Sequence, residues 1–284
     1  MMKTTVLCTL CLLLISESML AQKAKTNVDK KKAASLGIKT VDIAEVGTGE
    51  IIRTMTFDKK GNVTTDLSNV IDEEKYTSDI TYLYHNDLLY EEIDEGTYYQ
   101  RQVYHYDADS NLISRLEFKT SLRLLDDVWT YRYDASDRLI EKESTSSSHR
   151  FSYNDQGFLA SELIRVGNGR VDTLTYEYNE TGQLIEETAI RNSRTKRVYT
   201  YQDSIMVEKT IYNSDHGQKP TLTVKYEYDE DGLVTKETSV SRQFTLVTFY
   251  RYNAKGLMTE ESIYNKKDKA LEILSSYTTR YTFY

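Results

Sequence analysis

The sequence predicts an all-β protein, an antiparallel β-meander of about 19 strands built from tandem hairpin repeats into an elongated, twisted or spiralling sheet. Three observations lead there: a recurring aromatic phrase, turn residues at a fixed offset inside it, and two-residue alternation on either side. The phrase is Tyr-x-Tyr, then Asp or Asn, two free positions, usually Gly, and an aliphatic residue two positions on. It reads MTFDKKGNV from Met55, YHYDADSNL from Tyr104, YRYDASDRL from Tyr131, FSYNDQGFL from Phe151, YEYNETGQL from Tyr176, YEYDEDGLV from Tyr226 and YRYNAKGLM from Tyr250. YLYHNDLLY from Tyr82 and YTYQDSIMV from Tyr199 keep the spacing but lose the glycine, and the final YTFY is a cut-off copy.

In chain order, residues 1–21 read as a secretory signal. Lys3 precedes an apolar run from Val6 to Ile15, and Ser18 and Ala21 suit cleavage. The run is too short for a membrane anchor. Both cysteines, Cys8 and Cys11, fall inside it, so the mature chain has no disulfide and no thiol chemistry. Residues 22–48 read as a basic flexible linker, because Lys23, Lys25, Lys30, Lys31, Lys32 and Lys39 face Asp29 alone as far as Thr40. Residues 49–284 form the repeat domain. From Val41 onward the chain holds 29 basic and 42 acidic residues, which argues against nucleic acid as a partner.

The copies start 20 to 31 residues apart, room for two strands and two turns each. Leu222, Val224, Tyr226 and Tyr228 fall on one face of a strand, with Thr223, Lys225 and Glu227 on the other. Gly61, Gly157, Gly182, Gly232 and Gly256 take the third turn position, where a type I turn is followed by a left-handed residue. Asp137 fills that slot in one copy. A loop of this length sets the second tyrosine opposite the aliphatic residue. The expected cross-strand neighbours are Tyr106 with Leu112, Tyr133 with Leu139, Tyr153 with Leu159, Tyr178 with Leu184, Tyr228 with Val234 and Tyr252 with Met258. The second turns vary: Asp94-Glu95-Gly96, Gly167-Asn168-Gly169, Ser214 to Lys219 and Lys266 to Lys269. Such variable turns are where an array carries specificity.

The phrase resembles the YD repeat of Rhs and teneurin proteins, over roughly residues 50 to 284. The resemblance implies a spiralling antiparallel sheet on a secreted or surface protein. In large Rhs proteins such a sheet encloses a C-terminal toxin released by aspartyl self-cleavage. The chain departs from that activity: Pro220 is its one proline, with no core motif around it, and no toxin domain follows the repeats. It is similar instead to short exported repeat proteins of Bacteroidetes-type genomes.

Candidate sites are few. Most of the 24 tyrosines belong to the phrase and read as the packed face of the sheet. Those outside it, Tyr98, Tyr99, Tyr212 and Tyr264, are better placed to bind, as is Trp129, although Trp129 is in phase with Tyr131 and Tyr133. Tyr98, Tyr99 and Trp129 are the ligand-binding candidates. Asp107, Asp109 and Asn111 match the opening of a calcium loop, but Phe118 stands where its bidentate Glu is needed. Adjacent pairs such as Glu91–Glu92, Glu186–Glu187 and Glu260–Glu261 point to opposite faces of a strand and cannot form a catalytic couple by themselves. His85, His105, His149 and His216 lack metal spacing. No cofactor and no metal is implied.

The function expected is that of an exported, non-catalytic repeat scaffold in or outside the cell envelope, binding glycan or a cell-surface protein through the sheet face or the variable turns. Two alternatives stand beside it. One is a glycan-active enzyme with a site assembled across strands. The other is an outer-membrane β-barrel, opposed by charged residues alternating with the tyrosines and by Glu141, Glu186 and Lys236 beyond the turns.

Overall fold

The computed structural model describes residues 28–71, 75–119, 124–167, 169–214, 219–267 and 270–284. The proposed signal, residues 1–21, and the start of the linker lie outside the described residues, as do parts of three variable turns. Among the described residues one helix, α1 (Lys30–Leu36), precedes twenty strands. They are β1 (Ile38–Glu45), β2 (Ile51–Phe57), β3 (Val63–Ile71), β4 (Lys75–His85), β5 (Leu88–Asp94), β6 (Gln100–Tyr106), β7 (Leu112–Lys119), β8 (Leu124–Tyr133), β9 (Leu139–Glu143) and β10 (Ser147–Tyr153). There follow β11 (Leu159–Val166), β12 (Val171–Tyr178), β13 (Leu184–Ile190), β14 (Arg194–Gln202), β15 (Ile205–Asn213), β16 (Leu222–Tyr228), β17 (Val234–Ser241), β18 (Thr245–Tyr252), β19 (Met258–Lys267) and β20 (Ala270–Phe283).

Each strand pairs antiparallel with its neighbours in sequence, and β20 pairs with β1 from Glu45↔Tyr277 to Ile38↔Phe283. The sheet is therefore a closed up-and-down barrel. This corrects the expected open or spiralling sheet of about 19 strands: the class is all-β, but closure gives every strand two partners. It also corrects the linker. Within residues 22–48, α1 is helical and β1 is the closing strand, so the folded unit begins before residue 49.

Local chemistry accounts for both elements. Asp29 caps α1 by accepting the Lys32 N–H at 2.7 Å, the Lys and Ala run favours helix, and Gly37 ends it in the left-handed region. Ile38, Val41 and Ile43 are fully buried, and with Ala33, Met55, Phe57 and Leu257 they form a compact apolar cluster where the first and last strands meet. Half of the fourteen buried hydrophobic residues among those described belong to this cluster. Among the described residues the rest of the wall has no comparable apolar cluster.

The repeat turns behave as the spacing predicts. Gly61, Gly157, Gly182, Gly232 and Gly256 have positive φ, and Asp137 takes the same conformation at φ 56. All six expected neighbour pairs occur, from Tyr106↔Leu112 to Tyr252↔Met258, each just after a one-residue bulge. Ser110 takes that conformation in the Tyr104 copy at φ 70, and the two degenerate copies turn through left-handed residues as well: Asn86 and Asp87 in one, Asp203 in the other.

Between hairpins the backbone ladder stops short of the glycine turns, as β7 and β8 pair only as far as Ser114↔Thr130, and the tyrosines span the gap. Tyr106 donates its hydroxyl to Leu89 O at 2.7 Å, Tyr133 to Leu112 O at 3.0 Å, and Tyr153 to Leu139 O at 2.8 Å. The series continues with Tyr201 to Leu184 O, Tyr228 to Met206 O, Tyr252 to Val234 O and Tyr281 to Met258 O. In every case the acceptor is the aliphatic residue of the preceding hairpin. Tyr284 carries the series over the seam by donating to Phe57 O. In six copies, from Tyr106 to Tyr252, the second tyrosine of the phrase is thus a strap between hairpins, a role beyond packing.

Candidate functional site

The two faces of the wall differ. On the tyrosine face, the phrase side chains are half-buried, whereas alternate residues such as His105, Thr130, Arg132, Arg150, Glu177 and Arg251 are exposed. One strand pair deeper, the tyrosine face carries a polar row. Arg53 forks onto Asp66 through Nε at 2.9 Å and Nη2 at 2.8 Å. Arg197 and Tyr199 both reach Glu187, and Tyr104 bonds Glu92 at 3.3 Å and Gln102 at 3.0 Å. Burial, reinforced by these carboxylates, raises the phenols: Tyr199 beside Glu187 and Tyr226 beside Glu237 each reach about 12, and Tyr82, Tyr104 and Tyr250 are pushed higher.

The row becomes aromatic between β7 and β11. Trp129 lies with its centroid 5.8 Å from His149, tilted by 58°, and His149 stacks on Phe151 at 6.4 Å. Two cations flank the indole: the Arg115 guanidinium at 5.5 Å and Lys142 Nζ at 5.9 Å, the latter also 5.7 Å from Phe151. Glu162 holds His149 through Nδ1 at 2.6 Å, and Glu117 holds Arg115. Trp129 Nε1 and Arg115 Nε are buried with no hydrogen-bond partner in the protein. An aromatic platform edged by cations suits a ligand with a flat apolar face and polar substituents around it.

The three sequence candidates do not converge. Trp129 is central to this patch, on the tyrosine face of β8. Tyr98 is 62 % exposed in the β5–β6 turn, beside the half-buried Tyr99. That turn is at the end of the wall opposite the glycine turns, six residues along the strand direction from Tyr104, or roughly 20 Å. His149, which sequence reading set aside for want of metal spacing, belongs to the patch. The signal was available: His149 stands two positions before Phe151 and so shares its face.

The remaining suspects resolve into structure. Asp107 Oδ1 accepts the N–H groups of Asp109 and Asn111 at 3.0 and 2.8 Å, so it closes its own turn. The acidic pairs do split between faces: Glu186 meets Lys196 and Glu187 meets Arg197. Glu117 and Asp127 are directly opposed on the tyrosine face, yet both are engaged. Asp127 binds Val128 N, Thr145 Oγ1 and Ser146 Oγ across the β9–β10 turn; burial works against its charge, but these bonds hold its carboxyl at about 2. Among the described residues no group of three or more His, Cys, Asp or Glu could hold a metal ion, and no helix is long and apolar enough to cross a membrane.

Fold and faces define a class, the closed antiparallel up-and-down β-barrels with polar side chains on both walls. No protein-family model matches the chain, and no curated protein matches it. Similar solved structures include a porin-like protein from Bacteroides uniformis ATCC 8492, at 10 % identity and a TM-score of 0.40, covering 86 % of this chain and 98 % of that one. The TcdB2-TccC3-TEV structure is similar at 13 % identity and a TM-score of 0.36, covering 80 % of this chain and 16 % of that one. Likeness this loose carries nothing about activity.

Proposed function

We propose that the protein is an exported barrel of YD-type repeats, placed in the cell envelope or outside it, and that it acts as a non-catalytic scaffold binding a glycan on the Trp129 patch. The carrying observation is the patch itself: an indole flanked by Arg115 and Lys142 beside His149 and Phe151. Sugar rings stack their C–H faces on such platforms. The test is binding of the purified chain to a polysaccharide panel, comparing the natural protein with Trp129→Ala and Trp129→Phe. Saturable binding lost in Trp129→Ala and partly kept in Trp129→Phe supports the reading. A flat panel, or binding indifferent to both changes, removes it.

A second reading, an outer-membrane barrel, is favoured by closure of an even number of antiparallel strands. Against it stand charges within the strands on both faces. The tyrosine face holds Arg53, Asp66, Glu187 and Arg197, and the other holds Arg132, Glu141, Arg150, Glu186 and Lys196. A lysine or arginine at the bilayer midplane costs roughly 2–4 kcal/mol, and no choice of outward face avoids several. Recovery of folded chain without detergent decides for the scaffold. Aggregation that only detergent reverses decides for the membrane.

A further inference from the structure

A cavity of about 710 Å³ opens across β12 to β16 at the end away from the glycine turns, and its lining does not include Trp129. The volume lies within the roughly 300–1,000 Å³ usual for small-molecule clefts. Ala189 makes the room. It stands two residues after Glu187, where β15 places Ile211 after Lys209 and β19 places Ile263 after Glu261.

The lining has two characters. Leu174, Ile211 and Leu222 are apolar, while Arg170, Arg191, Arg197 and Lys209 are cationic. Among the described residues two carboxylates pair with three of these cations. Glu187, also in the lining, holds Arg197, and the buried Asp172 lies 3.1 Å from Arg170 Nε and 3.7 Å from Arg191 Nε. Lys209, half-buried, has no carboxylate within ion-pair distance among the described residues. Locally the balance is positive in a chain whose net charge is −8. A half-buried ammonium facing an apolar recess is an electrostatic vacancy that a bound anion fills.

We propose that this cavity binds an aliphatic carboxylate of medium chain length. Its head engages Lys209, and its chain runs over Ile211, Leu222 and Leu174, with Arg191 at the far end of the cavity. The site is separate from the glycan patch, so either can fail alone.

The experiment is calorimetry of the whole chain with decanoate below its micelle concentration, beside decanol and acetate. Decanoate is expected to bind at least tenfold tighter than either control, since head and chain each contribute. Lys209→Gln should weaken it several-fold, while Arg191→Gln and Trp129→Ala leave it within twofold. Should Lys209→Gln fold poorly, salt serves instead: raising ionic strength should weaken decanoate but not decanol, because the head is held by charge. No decanoate binding, equal binding of decanol, or affinity indifferent to Lys209→Gln and to salt would overturn the proposal.

Discussion

At the scale of single residues, identical-looking positions do different work. Gly61 and Gly157 occupy the same slot of the phrase at φ 81 and 85. A Cβ on Gly157 meets only Arg138 Nη1 at 4.0 Å, whereas one on Gly61 lies 2.0 Å from Lys30 O and 2.8 Å from Ala34 N. Gly157→Ala should therefore cost about 1 kcal/mol, the strain of a left-handed alanine. Gly61→Ala should cost clearly more and detach α1, seen as new proteolytic cleavage around residues 30–36; equal costs with α1 protected would count against this packing. Asp127 supplies a second case. Its folded pKa of about 2 lies below the ordinary carboxylate value, so its contribution is present above about pH 4 and lost as pH falls toward 2. Asp127→Asn should flatten that part of the acid-unfolding curve while leaving stability above pH 5 lower throughout.

At the scale of elements, the hairpin was legible and its fastening was not. Turn spacing predicted each Tyr–aliphatic pair, because a bulged loop of fixed length admits one register. The hydroxyl bond to the previous hairpin depends on two hairpins lying side by side, which spacing inside one repeat does not report. Tyr252→Phe removes the donor to Val234 O at 2.8 Å and should cost about 1 kcal/mol in denaturant unfolding. A neutral result would mean that water replaces the bond. The seam behaves differently. Ile43 is fully buried in the cluster joining β1, β2 and α1, so Ile43→Ala should cost roughly 2–5 kcal/mol. Ile113, 42 % exposed on β7, should tolerate alanine within about 0.5 kcal/mol. Comparable losses at both positions would show that the seam is no special anchor.

At the scale of the molecule, a ring of twenty strands at about 4.8 Å spacing, if round and tilted, is roughly 40 Å across. Side chains cannot fill such an interior, which is why half-burial prevails and the wall relies on straps, ion pairs and the seam cluster. The tyrosines then make the barrel sensitive to base. Tyr199 and Tyr226 titrate near 12 in the fold, with burial the main cause, against about 10 in an unfolded chain. The neutral phenol is favoured by folding, so this stability is complete below about pH 10 and is lost as pH rises through 12. Phenolate absorbance and β-sheet circular dichroism should change together in one transition. Phenols ionising near pH 10 in an intact barrel would contradict the burial described.

The residues alone determined the β class, the hairpin register, the left-handed turn positions and the inclusion of Trp129 among candidates, because each follows from periodicity within some ten residues. Tertiary structure decided whether the meander closes, that Ile38–Glu45 supplies the last partner, that His149 joins Trp129 while Tyr98 does not, and that Ala189 leaves a cationic recess. Twist and coil accumulate over all twenty strands, and contacts across a seam join residues more than 200 positions apart. No local pattern carries that sum.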